Sequence, residues 1–310
     1  MWDWRPEFGA DLSIRRCWPG AGCDGDQHVR VMTASLRFTA FGGAACELIA
    51  VDGTVGDLGS VQEEVHAFER RLTRFDPASE LSALNAAGGG WFDASALLRA
   101  LLVAALDVCE LTGGLVNAAV HDPVVRAGYD MSFPFVDRRA RAAVVAVGPM
   151  QGPDAPVAPL AAVLEIAPQS VRVAPGWRID LGGVGKGWLA DRLADRFDNA
   201  VVNLGGDLFA RGGGADGSGW AVGLCDGAVA TVRDAGIATS GIAHRRWVGG
   251  HHLIDPRTGR PASTDVAAVS VVTATALQAE ALAKACAIQG SRDGERWLAA
   301  RHVTYALVAA

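Results

Sequence analysis

Residues 251 to 261, His-His-Leu-Ile-Asp-Pro-Arg-Thr-Gly-Arg-Pro, gather two histidines, two arginines and an aspartate in one turn. Asp255-Pro256 opens the turn, Thr258-Gly259 closes it, and Pro261 stops any helix. Guanidinium forks suit phosphate oxygens, an imidazole titrates near neutral pH, and the prolines stiffen the frame. A second segment, Asp180-Leu-Gly-Gly-Val-Gly-Lys-Gly187, falls where a strand should end and a helix begin. Glycines there let backbone N–H groups approach an anion, the helix N-terminus adds positive potential, and Lys186 adds a formal charge. It is not a P-loop, because Asp180 stands at the first glycine position and Gly187 replaces the hydroxyl residue. Nor is it the dinucleotide fingerprint. A tight strand-to-helix turn with a solvated lysine fits the same residues. Asn203-Leu204-Gly205-Gly206-Asp207 follows the apolar run Ala200-Val201-Val202. It reads as a close backbone approach to a ligand, or as a hairpin turn in which Asn and Asp satisfy their own backbone. Ala238-Thr239-Ser240-Gly241 sets paired hydroxyls on a turn. Together these segments suggest a site for a phosphorylated ligand. Glu280 and Lys284 lie four apart on a helical pattern; taken alone they are a surface ion pair worth about 0.2–0.5 kcal/mol.

The elements that must position these groups are short. Two strands, 31–39 and 45–51, flank Phe41-Gly42-Gly43. A helix follows, with Ser60-x-x-Glu63 as a capping box and Val61, Val65, Phe68 and Leu72 on one face. Residues 74–90 read as a polar loop, and Ser95 starts a second helix that ends at Gly113-Gly114. Four prolines between 149 and 160 mark a loop or flap. Strands at 162–167 and 170–174 form a hairpin leading to Asp180, and a helix runs from about Lys186 to Phe197. Short strands with glycine turns fill 200–240. A strand at 266–273 precedes a helix opened by Thr275-x-x-Gln278 and closed by Gly290, and a strand at 303–309 ends the chain. Helices and mostly antiparallel strands are mixed, so the expected class is α+β, with an irregular arm at 1–28 and one domain over 29–310.

Composition narrows the function classes. The 310 residues are half apolar, enough for a sizeable core, and 38 glycines suit turns between short strands better than a helical bundle. A net charge of −6 argues against nucleic acid as partner. No run of eighteen apolar residues spans a membrane. The start, Met-Trp-Asp-Trp-Arg-Pro-Glu, lacks a signal-peptide profile, so the expected compartment is the cytoplasm. The six cysteines, at 17, 23, 46, 109, 225 and 286, have no paired metal spacing and read as reduced thiols.

In this order the segments resemble the ApbE-type FAD:protein FMN transferases over roughly residues 30 to 310. The likeness rests on Arg74-Phe75-Asp76-Pro77 through Ser79-Glu80-Leu81-Ser82 to Leu84-Asn85, and on Thr112-Gly113-Gly114. It continues through Asp180-Leu181-Gly182-Gly183 with Lys186-Gly187 and Asp191, then Asn203 with Gly205-Gly206-Asp207. It closes with Ala238-Thr239-Ser240-Gly241 and His252-x-x-Asp255-Pro256-x-Thr258-Gly259-x-Pro261. Each motif is weak alone; their common order is specific. The resemblance implies an ApbE-like α+β domain that moves FMN from FAD to a Ser or Thr of a flavin-accepting protein, releasing AMP, with Mg²⁺ at the pyrophosphate. It places Phe41, Asn85, Asp180, Gly182, Gly183, Lys186, Asn203, Gly205, Gly206, Asp207, Thr239, Ser240, Asp255 and Thr258 along the FAD site. His252 would accept the hydroxyl proton or orient the group that does.

The departures from the family pattern are informative. Phe41-Gly42-Gly43 stands where members carry Met-Gly-Thr, and Val116-Asn117-Ala118-Ala119 where they carry Phe-Asp-Pro-Thr. The late helix usually offers Asp and, four residues on, Thr to the metal; here those positions are Glu280 and Lys284. Glu280 could still ligate Mg²⁺, whereas an ammonium has three donors and no lone pair. Lys284 is therefore expected to replace the metal in part, held by Glu280. FAD hydrolysis to FMN and AMP, or a flavin binder with a degenerate metal site, are the alternatives.

Overall fold

The computed structural model describes residues 33–51, 58–136, 155–243, 245–247 and 250–310, with the backbone of 13–15. Alternation of small apolar and polar residues builds one large sheet. Its eight strands are β1 (Ser13–Arg15), β2 (Thr33–Ala40), β3 (Ala44–Val51), β4 (Ala200–Leu204), β5 (Asp207–Arg211), β6 (Ala235–Ser240), β7 (Val266–Thr273) and β8 (Thr304–Ala309). They lie side by side in chain order, each antiparallel to the next. The expected class, α+β, is what forms. Apart from β1, which pairs with β2, the expected arm at 1–28 lies outside the described residues, as do residues 149–154 of the proline-rich loop.

Helices enter as insertions between these strands. Between β3 and β4 come α1 (Leu58–Leu72), α2 (Glu80–Ala86), α3 (Ala96–Leu111) and α4 (Gly185–Ala194), with a small three-stranded sheet of Phe92–Asp93, Leu164–Ile166 and Ser170–Val173. Between β7 and β8 come α5 (Ala276–Gln289) and α6 (Ser291–Ala299). The main core lies between β2–β4 and helices α1, α3 and α4, where Leu36, Leu48, Leu98, Leu101, Leu102 and Leu193 are fully buried. Among the described residues no helix is long and apolar enough to cross a membrane.

Helix α5 is buried nearly all round because alanine dominates it, so strands and helices approach its backbone closely. A Cβ on Gly236 of β6 would lie 2.1 Å from Ala276 N. A Cβ on Gly187 of α4 would lie 2.7 Å from Ala276 O and 2.9 Å from Glu280 Oε2. Gly187→Ala should therefore force α4 and α5 apart and cost about 1–3 kcal/mol, read as a lowered melting temperature; an unchanged melt would mean the two helices are free to slide.

Several boundaries differ from expectation. Helix α1 starts at Leu58, so Ser60 lies inside it and accepts a hydrogen bond from Arg196 Nη2 (2.8 Å) instead of capping. The expected polar loop at 74–90 contains α2, capped by Ser79, whose Oγ accepts from Ser82 N (3.0 Å). Residues Leu160–Val163 make a helical turn before their strand. Beyond Gly290 the chain forms α6, because Asp265, 26 residues earlier, accepts from Ser291 N (2.7 Å). Such a distant partner is invisible to a local reading.

Candidate functional site

The insertions meet over one open pocket. The Asp180–Gly183 turn forms its edge. Asp180 Oδ1 accepts from Gly182 N (2.7 Å), and Oδ2 pairs with Arg74 Nε (2.7 Å). Arg74 also donates to Tyr129 O (2.6 Å) and lies over the rings of Phe75 and Tyr129. Asn85 brackets Ile179, accepting from its N (2.7 Å) and donating to its O (2.9 Å), so it fixes the irregular segment that delivers Asp180. The glycine turn offers fewer amides than its sequence suggests. Gly182 N is taken by Asp180, Val184 N and Gly185 N by Leu181 O, and Gly187 N by Glu280.

Positive charge in the pocket comes from side chains instead. Lys186 at the start of α4 and Lys284 on α5 both line it, with Arg245 and His252. Glu280 is fully buried beneath the two lysines, so the pair at 280 and 284 is not the surface bridge its spacing suggests. Lys284 Nζ donates to Glu280 Oε1 (2.6 Å), Lys186 Nζ lies 3.5 Å from that oxygen, and Gly187 N donates to Oε2 (2.9 Å). Lys186 also pairs with Asp207. Burial pushes Lys186 down to about 8, against the attraction of Glu280 and with the repulsion of Lys284 and Arg245. Burial raises the Glu280 carboxyl, but Lys284 and Lys186 outweigh it and hold the group below its ordinary value. Asp191 accepts from Ala276 N (2.6 Å) and Leu277 N (3.0 Å) at the start of α5, and burial pushes it up to about 6.

The two neighbouring histidines have separate roles. His251 Nε2 donates to Ala262 O (3.0 Å) while its Nδ1 accepts from Leu253 N (3.3 Å), so it holds the loop together. His252 lines the pocket, and its Nδ1 meets Arg245 O (3.3 Å). A carbonyl only accepts, so Nδ1 carries the proton and Nε2 the lone pair. Burial, then the charges of Arg245 and Lys284, push His252 well below its ordinary value, so the ring is neutral at pH 7. The rest of the histidine loop is architecture. Asp255 takes a bidentate pair from Arg257 (2.8 and 2.9 Å), and Asp255 O accepts from Gly259 N (2.8 Å). Thr258 O accepts from Ala155 N (3.0 Å).

Of the residues expected at the site, Phe41, Asp180, Gly182, Gly183, Lys186, His252 and Lys284 line the pocket, and Glu280 and Asp207 lie one contact behind. Gly205 and Gly206 (φ 69° and 96°) form the β4–β5 hairpin turn, with Asn203 Oδ1 accepting from Gly206 N (2.9 Å). Thr239 Oγ1 bonds Ser270 Oγ (2.8 Å) within the sheet. Asn85, Asn203, Gly205, Gly206, Thr239, Ser240, Asp255 and Thr258 are outside the pocket lining. Arg74, Arg245, Glu69 and Tyr129 line it and were not in the expected set. Arg74 sat inside a quoted motif, but nothing local marked the other three. Phe41, at φ 54°, is turned into the pocket by a hairpin whose Gly42 N donates to Glu69 Oε1 (2.9 Å).

The family model described as "ApbE family" matches residues 38–308. An FAD:protein FMN transferase of Treponema pallidum is 36% identical over 252 residues, 68% of this chain, and the chain spans 65% of that relative's length. The FAD:protein FMN transferase of Escherichia coli K12 is 34% identical over 125 residues, 34% of this chain and 35% of that protein. The apo crystal structure of a Pseudomonas stutzeri flavinyl transferase ApbE superposes with a TM-score of 0.71 at 19% identity, covering 90% of this chain and 92% of that one. The flavin transferase ApbE from Vibrio cholerae gives 0.67 at 23% identity, covering 90% and 94%. At these identities the structural likeness speaks for the fold.

Proposed function

The chain belongs to the ApbE family, and from that premise we propose that it transfers FMN from FAD to a hydroxyl of an acceptor protein. The observation that carries the reading is the convergence of His252, Lys186, Lys284 and the Asp180–Gly183 turn on one pocket. A diphosphate needs positive charge, which the two lysines and Arg245 supply. The acceptor oxygen attacks the phosphorus of the FMN half, forming one P–O bond. The bond from that phosphorus to the bridging oxygen breaks, and AMP leaves with the bridging oxygen. The hydroxyl proton passes to Nε2 of His252, the lone-pair nitrogen of a neutral ring. Arg74 and Asp180 fix the turn that faces the substrate, and Phe41 and Phe68 add an apolar wall suited to the flavin ring.

The test is incubation with FAD and an extract of the source cells, followed by denaturing electrophoresis and chromatography. A flavin-fluorescent protein band together with AMP is expected. Equal free FMN and AMP without a band would make the protein a hydrolase, and FAD bound but unchanged a binder.

Affinity for FAD should also depend on pH. Lys186 titrates at about 8, so its charge is present below that pH and lost above it. The FAD dissociation constant is expected to rise above pH 8 by up to about tenfold per unit, and Lys186→Arg should flatten the profile. Stability moves the other way. The folded-state value lies below the ordinary 10.5, so the folded protein binds fewer protons between about 8 and 10.5, and Lys186 contributes rising stability across that window. A dissociation constant unchanged from pH 7 to 10 would remove Lys186 from the binding site.

A further inference from the structure

On the transferase reading, something must neutralise the diphosphate beside Glu280, and the family pattern puts a divalent cation there. The residues present do not fit one. Glu280 Oε1 accepts from Lys284 Nζ (2.6 Å) with Lys186 Nζ at 3.5 Å, and Oε2 accepts from Gly187 N (2.9 Å). A hard dication takes oxygen ligands at about 2.0–2.1 Å when it is Mg²⁺, and it would have to enter against two ammonium groups. Lys284, four residues after Glu280, has no lone pair to offer. Asp207, which shares Lys186 with Glu280, is engaged by that lysine. Among the described residues no group of three or more His, Cys, Asp or Glu side chains is placed to hold a metal ion.

We propose that Lys284 and Lys186, anchored on the buried Glu280, take the cation's place, so that this chain binds the diphosphate of FAD without a divalent metal. Lys284 lines the pocket and gives one N–H to Glu280, which leaves two for phosphate oxygens. Its Cδ and Cε lie 3.8 Å from where a Cβ on Gly183 would be. The lysine stem therefore runs at ordinary van der Waals distance from the Gly183 turn. Glu280, carried on a buried helix and held by an amide of α4, fixes the ammonium in one place as a metal would be fixed. This inference rests on the transferase reading for the identity of the ligand.

The experiment measures FAD affinity of the full chain by flavin fluorescence quenching, in EDTA and in excess Mg²⁺, with AMP release followed in the same two buffers after addition of the acceptor-containing cell extract. Wild-type affinity should agree within about twofold between buffers, and Lys284→Met should weaken it about tenfold or more in EDTA, the loss of one charge-assisted contact. Lys284→Arg should restore most of the affinity. Because Lys284→Met leaves Glu280 short of a partner, the double variant Glu280→Gln with Lys284→Met, checked by thermal melt, is the folded control and should bind as weakly. Wild-type affinity that improves tenfold or more with Mg²⁺, or Mn²⁺ that binds the FAD-loaded protein in a paramagnetic titration, would overturn the inference. AMP released only with Mg²⁺ would leave the transferase standing and sink the metal-free site. Metal-independent FAD binding with no AMP in any buffer would do the reverse. Failure of FAD to bind in either buffer would overturn both.

Discussion

His252→Ala should slow FMN transfer by about 10²–10⁴-fold, the usual contribution of a positioned general base, while FAD binds within about threefold of wild type. The expectation comes from the tautomer. The Nδ1 proton is committed to Arg245 O (3.3 Å), and the ring is neutral at pH 7 because burial and the charges of Arg245 and Lys284 disfavour protonation. A base held neutral can accept a proton, but it returns little binding energy to the ground state. His251→Ala is the internal contrast. That ring is buried and bridges Ala262 O and Leu253 N, so its loss should lower the melting temperature and spare the rate per folded molecule. Single-turnover AMP release separates the two. Full transfer by His252→Ala would return the proton to Lys186 or to solvent and remove His252 from the reaction.

Glu280→Ala should be the most destabilising single change at the site, by about 3–5 kcal/mol, because it leaves buried charge without its counterion. Glu280 is fully buried, and the side chains of Lys284 and Lys186 are only 13% and 14% exposed. Lys186 would retain Asp207, so the loss falls on Lys284 and on the Gly187 amide. Glu280→Gln keeps an acceptor for that amide and should cost less. Urea denaturation of the three proteins measures the order. Pyrophosphate should restore part of the loss by giving the lysines an anion. A cost under about 1 kcal/mol for Glu280→Ala, the size of a solvent-exposed bridge, would mean that water reaches the pair.

Asp180–Gly183, Lys186 and His252 were expected at one site because glycines before a helix and an imidazole in a proline-framed turn make the same kind of offer to an anion, and the structure brings them to one pocket. The strands at 266–273 and 303–309 and the Ser95 and Thr275 caps were legible for a related reason: alternation and capping are local. The double glycine at 205–206 shows the limit of such reading. Its residue types suit a ligand and a hairpin equally, and only pairing of β4 with β5 selects the hairpin.

What the sequence determined by itself was the α+β class, the order of the motifs and the oddity of Lys284 beside Glu280. The tertiary structure decided what that oddity means. A helix pattern places residues 280 and 284 on one face, but not whether that face meets water. Burial of α5 between the sheet and α4 removes water from Glu280, and Lys186, nearly a hundred residues earlier, becomes its second partner. Arg74, from the insertion that also carries Lys186, and Arg245, from the connection between β6 and β7, join the same pocket. Charge interactions depend on distance and dielectric, and both are properties of the packed fold, so no local window could have read them.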